Sequence, residues 1–267
     1  MPELVEVETT RRDLSNIIIG KKIIDVKVYL DKIVYNRKEE FINSIKNQTV
    51  NNVKRRGKWL LFELDTDYII IHFRMEGRFY LYEKNHPVDK HDYVIFDFKD
   101  FSLHYNDPRL FGKMEVIKKD KIDDFFLEKK LGLEHDDERL TVGYLKDKFS
   151  KRHSSIKKVL LDQSIITGIG NIYADEILFE SRINPYTYAD EISSIKLKRI
   201  ILNTKKVFDR ALIYKGTYPN IDGKRGTFEN HLKVHMRKGM PCYTCGSIIK
   251  KEQIGGRGTY YCPKCQK

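Results

Sequence analysis

The chain has no apolar run approaching the roughly 18 residues that cross a bilayer. Its longest such runs are short pieces like Tyr68-Ile69-Ile70-Ile71, so no membrane span is expected. A basic secretory leader is missing too, since Glu3, Glu6 and Glu8 occupy the place where one would be positive. The cytoplasm is therefore the expected compartment. There is no internal repeat and no low-complexity segment. Cysteine is scarce: the chain has four, all between positions 242 and 265. What remains is the composition of a globular protein, 267 residues long and 40% hydrophobic, a length that suits two domains better than one. The net charge of +12 is unevenly spread, because residues 224–267 hold ten Lys/Arg against two Glu. A concentrated positive patch suits a polyanion, above all nucleic acid.

Periodicity divides the chain. Leu4, Val7, Leu14 and Ile17/Ile18 recur at helical spacing over 3–19, and Gly20 ends the pattern. From Lys22 to about Val116 the period becomes two, as in Leu60-Phe62-Leu64, Ile69-Ile71-Phe73 and Val94-Phe96-Phe98. This predicts an antiparallel sandwich or barrel with a helix at its N-terminal edge. The charged stretch Lys118 to Asp124 reads as a linker. Helical spacing then runs from about 125 to 215, and short strands return around the cysteines from 228. The divisions expected are 1–124, 125–227 and 228–267.

Three local patterns carry chemistry. The first is the start, Met1-Pro2-Glu3-Leu4-Val5-Glu6. If Met1 is removed, Pro2 becomes a terminal secondary amine. An α-amine has a pKa near ~8 against ~10.4 for lysine, so at neutral pH it is unprotonated a few hundred times more often. A free amine attacks carbonyl-like carbon and forms an imine. The competing reading is a proline opening a helix, where its missing N–H costs nothing. The second pattern is Cys242-Tyr-Thr-Cys245, sixteen residues, then Cys262-Pro-Lys-Cys265. Two such knuckles supply four thiolates to one tetrahedral, structural Zn²⁺; disulfides compete poorly in a reducing compartment. Nearby, His231 and His235 are surplus to the ligand set and are expected at the surface or facing phosphate. Between the knuckles, Gly255-Gly256-Arg257-Gly258 presents an arginine on bare backbone, suited to bidentate phosphate binding or to a plain solvated turn. The third pattern is Gly168-Ile169-Gly170-Asn171 before an apolar helix. It is either a helix–helix turn or an anion site of backbone N–H groups, with Asn171 as cap. Asp175 and Glu176 are expected in the first helical turn, complementing the macrodipole.

Taken together, these motifs resemble the formamidopyrimidine-DNA glycosylase family, bifunctional base-excision enzymes that include endonuclease VIII. The likeness covers nearly the whole chain in family order. Pro2-Glu3-Leu4 through Glu8 resembles the catalytic N-terminus, and Arg56-Gly57-Lys58 the catalytic-lysine loop. His72 through Gly77 and Asn106 through Gly112 resemble the duplex-probing loops. Leu161-Asp162-Gln163 to Glu176 resembles the helix–two-turn–helix motif, and the cysteine ribbon the zinc finger.

The resemblance implies an α+β fold. An N-terminal antiparallel β-sandwich flanked by helices would precede a helix–two-turn–helix domain and a C-terminal β-hairpin zinc finger. It also implies roles. Pro2 is the nucleophile and Glu3 the acid/base, its pKa raised by partial burial beside other carboxylates. Glu6 holds the N-terminal turn. Lys58, His72, Asn171 and Arg257 grip phosphates, Lys58 and Arg257 counting with the catalytic set. Met75, Arg109 and Phe111 fill the gap left by a flipped base, with core packing as the other reading of Met75 and Phe111. Cys242, Cys245, Cys262 and Cys265 hold one Zn²⁺. The implied partner of this monomer is double-stranded DNA with damaged bases or abasic sites, and the activity is excision of oxidised purines followed by β,δ-elimination at the nucleoid.

Leu4 and Leu161-Asp162-Gln163 favour the oxidised-purine branch over an endonuclease VIII-like enzyme. A non-enzymatic zinc-ribbon DNA-binding protein is the alternative outside the enzyme class. Three departures stand out. Val5 replaces a second proline, Val234-His235-Met236-Arg237 replaces the usual Val-Tyr-Gly-Arg, and Gly216 to Thr227 is several residues short where a purine-capping loop belongs.

Overall fold

The computed structural model describes residues 2–267. The chain folds as two compact units: residues up to Lys129 together with Lys215–Gly226, and Lys130–Tyr214 together with Thr227–Lys267.

The first unit opens with helix α1 (Leu4–Ile18) and carries eight strands with two further helices. Strands β1 (Asp25–Val28), β6 (Asp92–Asp97), β7 (Phe101–Asn106) and β5 (Arg78–Glu83) form one antiparallel sheet, in that spatial order. Strands β2 (Asn52–Arg56), β3 (Trp59–Glu63), β4 (Asp67–His72) and β8 (Lys113–Lys118) form the other. Two separate sheets make this a sandwich and not a barrel. The period-two residues do what alternation requires: Leu60, Phe62, Ile69, Ile71, Phe79, Phe96 and Leu103 enter one buried core. Helix α2 (Lys38–Ile45) adds Phe41 and Ile45 to it.

The expected linker is not one. Lys119–Lys121 is a 3₁₀ turn, followed by helix α3 (Ile122–Glu128). Its Phe125 packs on Leu61, Tyr68 and Ile70, the outward face of β3 and β4. Those two strands are apolar on both faces, so something must cover the outer one. The charges masked this, because they lie on the exposed side of the covering element.

The second unit packs helices α4 (Val142–Ser150), α5 (Ile156–Leu160), α6 (Asn171–Glu180) and α7 (Ser194–Ile213). Thr141 caps α4 by accepting from the Tyr144 N–H, and Ser193 caps α7 by accepting from Lys196. Helix α6 is central: Tyr173 through Phe179 are all buried. The hairpin β9 (Lys250–Ile254) and β10 (Arg257–Tyr261) closes the chain. Gly255 and Gly256 form its two-residue turn with φ +57° and +75°, the doubly positive conformation that matches strand twist. No described helix is long and apolar enough to cross a membrane.

Candidate active site and nucleic-acid interface

Helix α1 begins at Leu4 with Glu3 as its N-cap, so Pro2 lies one residue outside the cap. The helix-opening explanation of this proline, which needs it at the first helical position, does not apply. Glu3 is buried, and its backbone N–H donates to Glu6 Oε2 at 2.9 Å. The other Glu6 oxygen accepts from the Thr217 backbone N–H and hydroxyl at 3.2 and 3.3 Å. One carboxylate thus ties the start of α1 to the 215–226 segment. Gly216 is needed there: its φ is +67°, and a Cβ would stand 2.7 Å from Glu6 Oε1. Pro2, Glu6, Thr9, Arg78, Tyr218 and Asn220 line a small cleft. Glu8 faces elsewhere, held by Arg11, Arg12 and Arg55. Burial alone would raise its pKa, but the hydrogen bonds and charges of these arginines hold it down at about 2.

The short segment at 216–226 is a closed hairpin. Pro219 and Arg225 pair across it, Gly226 N–H donates to Tyr218 O, and Leu81 N–H donates to Ile221 O. Ile221 enters the sandwich core. Tyr218 donates its hydroxyl to Met75 O at 2.8 Å.

Lys58 is buried beside Gly57 (φ +56°) in the two-residue turn joining β2 to β3. His72 ends β4, opposite Trp59, whose ring it meets edge-on at 4.6 Å. Burial, then the cations of Arg74 and Lys58, push the His72 pKa down to about 3. Its Nδ1 accepts from the Arg74 N–H at 3.0 Å, which leaves the proton of the neutral ring on Nε2.

Met75, half-buried, sits in the turn after β4. Phe111 is 49% exposed, which removes core packing as its explanation. Arg109 stands over the Phe111 ring at 5.2 Å and reaches Glu76 at 3.9 Å, so the two turns lie side by side. Buried Asp107 shapes the second turn by accepting from the Arg109 and Gly112 N–H groups at 3.2 and 2.7 Å.

In the second unit, Gly170 and not Asn171 is the N-cap of α6, so the cap residue has no side chain to contribute. Asn171 instead donates from Nδ2 to Gly258 O at 2.9 Å, fastening the α6 N-terminus to the residue after Arg257. Arg257 itself is exposed at the first position of β10.

Asp175 and Glu176 lie beyond the first turn and serve a different end. Fully buried Lys157 donates to Asp175 Oδ1 at 2.6 Å and to Asn171 O at 2.8 Å. Asp175 Oδ2 meets His235 Nδ1 at 2.6 Å. Glu176 accepts from the backbone N–H groups of Lys233, Val234 and His235. His235 is therefore buried on an acid and not at the surface, whereas His231 is exposed and stacks on Tyr214. This network was missed from sequence, although a signal existed: two adjacent acids inside an otherwise apolar helix need buried partners.

The four cysteine sulfurs lie within 4.8 Å of one another, with Cys242–Cys265 at 3.9 Å and Cys245–Cys262 at 3.5 Å. Thiolates about 2.3 Å from a tetrahedral Zn²⁺ are separated by roughly 3.8 Å, so the cluster fits that ion. Backbone N–H groups of Thr244 and Cys265 point at Cys242 and Cys262 sulfurs at 3.4 Å, as expected around thiolate ligands. Phe179 at the end of α6 packs against Cys242 and Cys262.

Fold and site define a class: an α+β protein with a β-sandwich carrying a buried N-terminal turn, and a helical unit ending in a four-cysteine hairpin finger. Family models agree in order. The formamidopyrimidine-DNA glycosylase N-terminal domain matches 1–114, the H2TH domain of the same enzymes 131–221, and the zinc finger found in FPG and IleRS 239–267. The formamidopyrimidine-DNA glycosylase of Bacillus anthracis is 44% identical, over 100% of this chain and 99% of its own. That of Listeria monocytogenes is 41% identical over 100% of both. Among solved structures, Lactococcus lactis Fpg with abasic-site DNA superposes with a TM-score of 0.95 at 34% identity, covering 99% of both chains. The same enzyme bound to oxidised-pyrimidine DNA gives 0.96 at 34% identity, covering 100% of both. The chain belongs to the formamidopyrimidine-DNA glycosylase family.

Proposed function

We propose that this protein excises oxidised purines from duplex DNA and cleaves the resulting abasic site, acting in the cytoplasm on nucleoid DNA. Carrying the reading is the N-terminus: Pro2 stands outside the helix at a cleft, with buried Glu3 and Glu6 ordered beside it, in a chain 44% identical to a formamidopyrimidine-DNA glycosylase.

The amine of Pro2, freed by removal of Met1, attacks C1′ of the damaged nucleotide. The N-glycosidic bond breaks and the base departs with its electron pair and a proton. Glu3 protonates the sugar oxygen, the ring opens, and a Schiff base joins Pro2 to C1′. The iminium acidifies the C2′ proton; its loss expels the 3′ phosphate, and a second elimination expels the 5′ phosphate. Water then releases Pro2. Glu6 keeps the nucleophile's turn in register through its bonds to Glu3 and Thr217.

Lys58 and Arg257 supply cationic phosphate contacts. His72 is a neutral donor from Nε2, so its contact does not titrate across neutral pH. Asn171, held to Gly258 through Nδ2 at the start of α6, grips a phosphate beside Arg257. Met75, Arg109 and Phe111 enter the duplex. Cys242, Cys245, Cys262 and Cys265 hold one structural Zn²⁺ that stiffens the hairpin bearing Arg257.

Borohydride trapping on an abasic duplex tests this. Wild type is expected to form a covalent complex that Pro2→Gly abolishes and Glu3→Gln suppresses. A wild-type protein that never traps would refute the reading.

A further inference from the structure

The hydroxyl of Tyr105 has no place in the mechanism above, yet the two turns that carry Met75, Arg109 and Phe111 meet on it. Tyr105 lies on β7 and is fully buried. Its ring belongs to the sandwich core, 5.5 Å from Phe79 and stacked at 6.4 Å on Phe73. The hydroxyl projects beyond that core between two glycines. A Cβ at Gly77 would stand 2.2 Å from Tyr105 Oη, and one at Gly112 only 1.7 Å. Gly77 closes the Met75 turn and Gly112 closes the Arg109–Phe111 turn, so one oxygen fills the gap under both.

Neither glycine has a positive φ. Backbone conformation therefore does not call for glycine at these positions; the closeness of Oη does, with Phe73 O at 2.8 Å adding to it at Gly77 and Asp107 Oδ2 at 2.9 Å at Gly112. Among the described residues that buried oxygen makes no hydrogen bond of good geometry. A hydroxyl kept dry and poorly paired costs stability that phenylalanine would avoid. Burial and the Asp107 carboxylate nearby keep its proton firmly in place.

We infer that Tyr105 is a positioning residue whose hydroxyl sets the spacing and height of the two duplex-entering turns. The inference rests on the reading, given above, that Met75, Arg109 and Phe111 enter the duplex. Without the hydroxyl the turns lose their common spacer and settle toward the core, and the side chains they carry reach less far into the base stack.

Tyr105→Phe keeps the ring and removes only the oxygen. Single-turnover excision of a lesion from a fully paired duplex should fall at least tenfold. Borohydride trapping on a single-stranded abasic oligonucleotide, which has no stack to open, should stay within twofold of wild type. The melting temperature should hold or rise. Wild-type duplex excision by Tyr105→Phe would overturn the inference, as would an equal loss on both substrates with a lowered melting temperature. Arg109→Ala and Phe111→Ala separate the two levels. If both excise as wild type, the reading of the turns falls and the inference with it. If they are impaired while Tyr105→Phe is not, the inference alone falls.

Discussion

Lys157→Met should unfold the second unit far more easily than the loss of one lysine suggests. The ammonium is fully buried and donates to Asp175 at 2.6 Å and to the Asn171 carbonyl at 2.8 Å. Methionine fills a similar volume, so the apolar packing of the stem survives. What remains is a buried Asp175 carboxylate without the lysine's charge, facing only His235 on its other oxygen. Removing one member of a buried ion pair costs about 3–5 kcal/mol, mostly through the charge left behind. Against the roughly 5–15 kcal/mol typical of a whole domain, that is a large share. With an m-value of about 2–3 kcal/mol/M, the urea midpoint should drop by roughly 1–2.5 M. Far-ultraviolet circular dichroism follows it, since α4 to α7 all lie in this unit. The double variant Lys157→Met/Asp175→Asn removes the stranded charge and still leaves an amide facing His235, so it should recover most of the loss. A Lys157→Met cost below about 1 kcal/mol, or a double variant no more stable than the single, would refute the assignment of the cost to an uncompensated charge.

Three further outcomes are expected. Metal analysis should find one zinc per chain, and Cys262→Ser or chelation should release it and weaken DNA binding, because the hairpin bearing Arg257 loses its clamp; binding unaffected by zinc loss would count against this. Glu8→Gln should destabilise the protein by about 1–2 kcal/mol at neutral pH, a figure reduced for solvent screening of its arginines. Since the folded-state pKa is lowered from 4.5 to about 2, the wild-type advantage should be complete above pH 4.5 and vanish as the pH falls through 2, read from melting curves across that range. Because 216–226 is a short hairpin held by Glu6 and the sandwich core, ring-opened purines should be excised at least as fast as 8-oxoguanine; equal-concentration cleavage assays showing a clear 8-oxoguanine preference would sink that expectation.

Much of the fold was legible because its causes are local. Period-two alternation placed the residues of β3, β4 and β6, helical spacing placed α1, and Gly20 follows the helix end. The turn at Gly255-Gly256 follows from two residues able to take positive φ. Four cysteines in two knuckles announced a cluster whose sulfurs lie within 4.8 Å. Each of these rests on backbone geometry or ligand spacing over a few residues, and sequence records such things directly.

Tertiary structure decided what depends on partners far along the chain. Asp175 and Glu176 looked like helix-dipole acids, but they bind His235 and the backbone of 233–235, some 60 residues away. His235 itself was expected at the surface or facing phosphate. Phe125 gave no sign that it would cover β3 and β4, and nothing at Gly77 or Gly112 pointed to a shared tyrosine oxygen. Pro2 shows the division most clearly. Its residue type and neighbours suggested both a helix start and a nucleophile, and only the observed cap at Glu3 removed the first. A buried polar group must find a partner, but the sequence does not say which one; close packing of distant segments makes that choice.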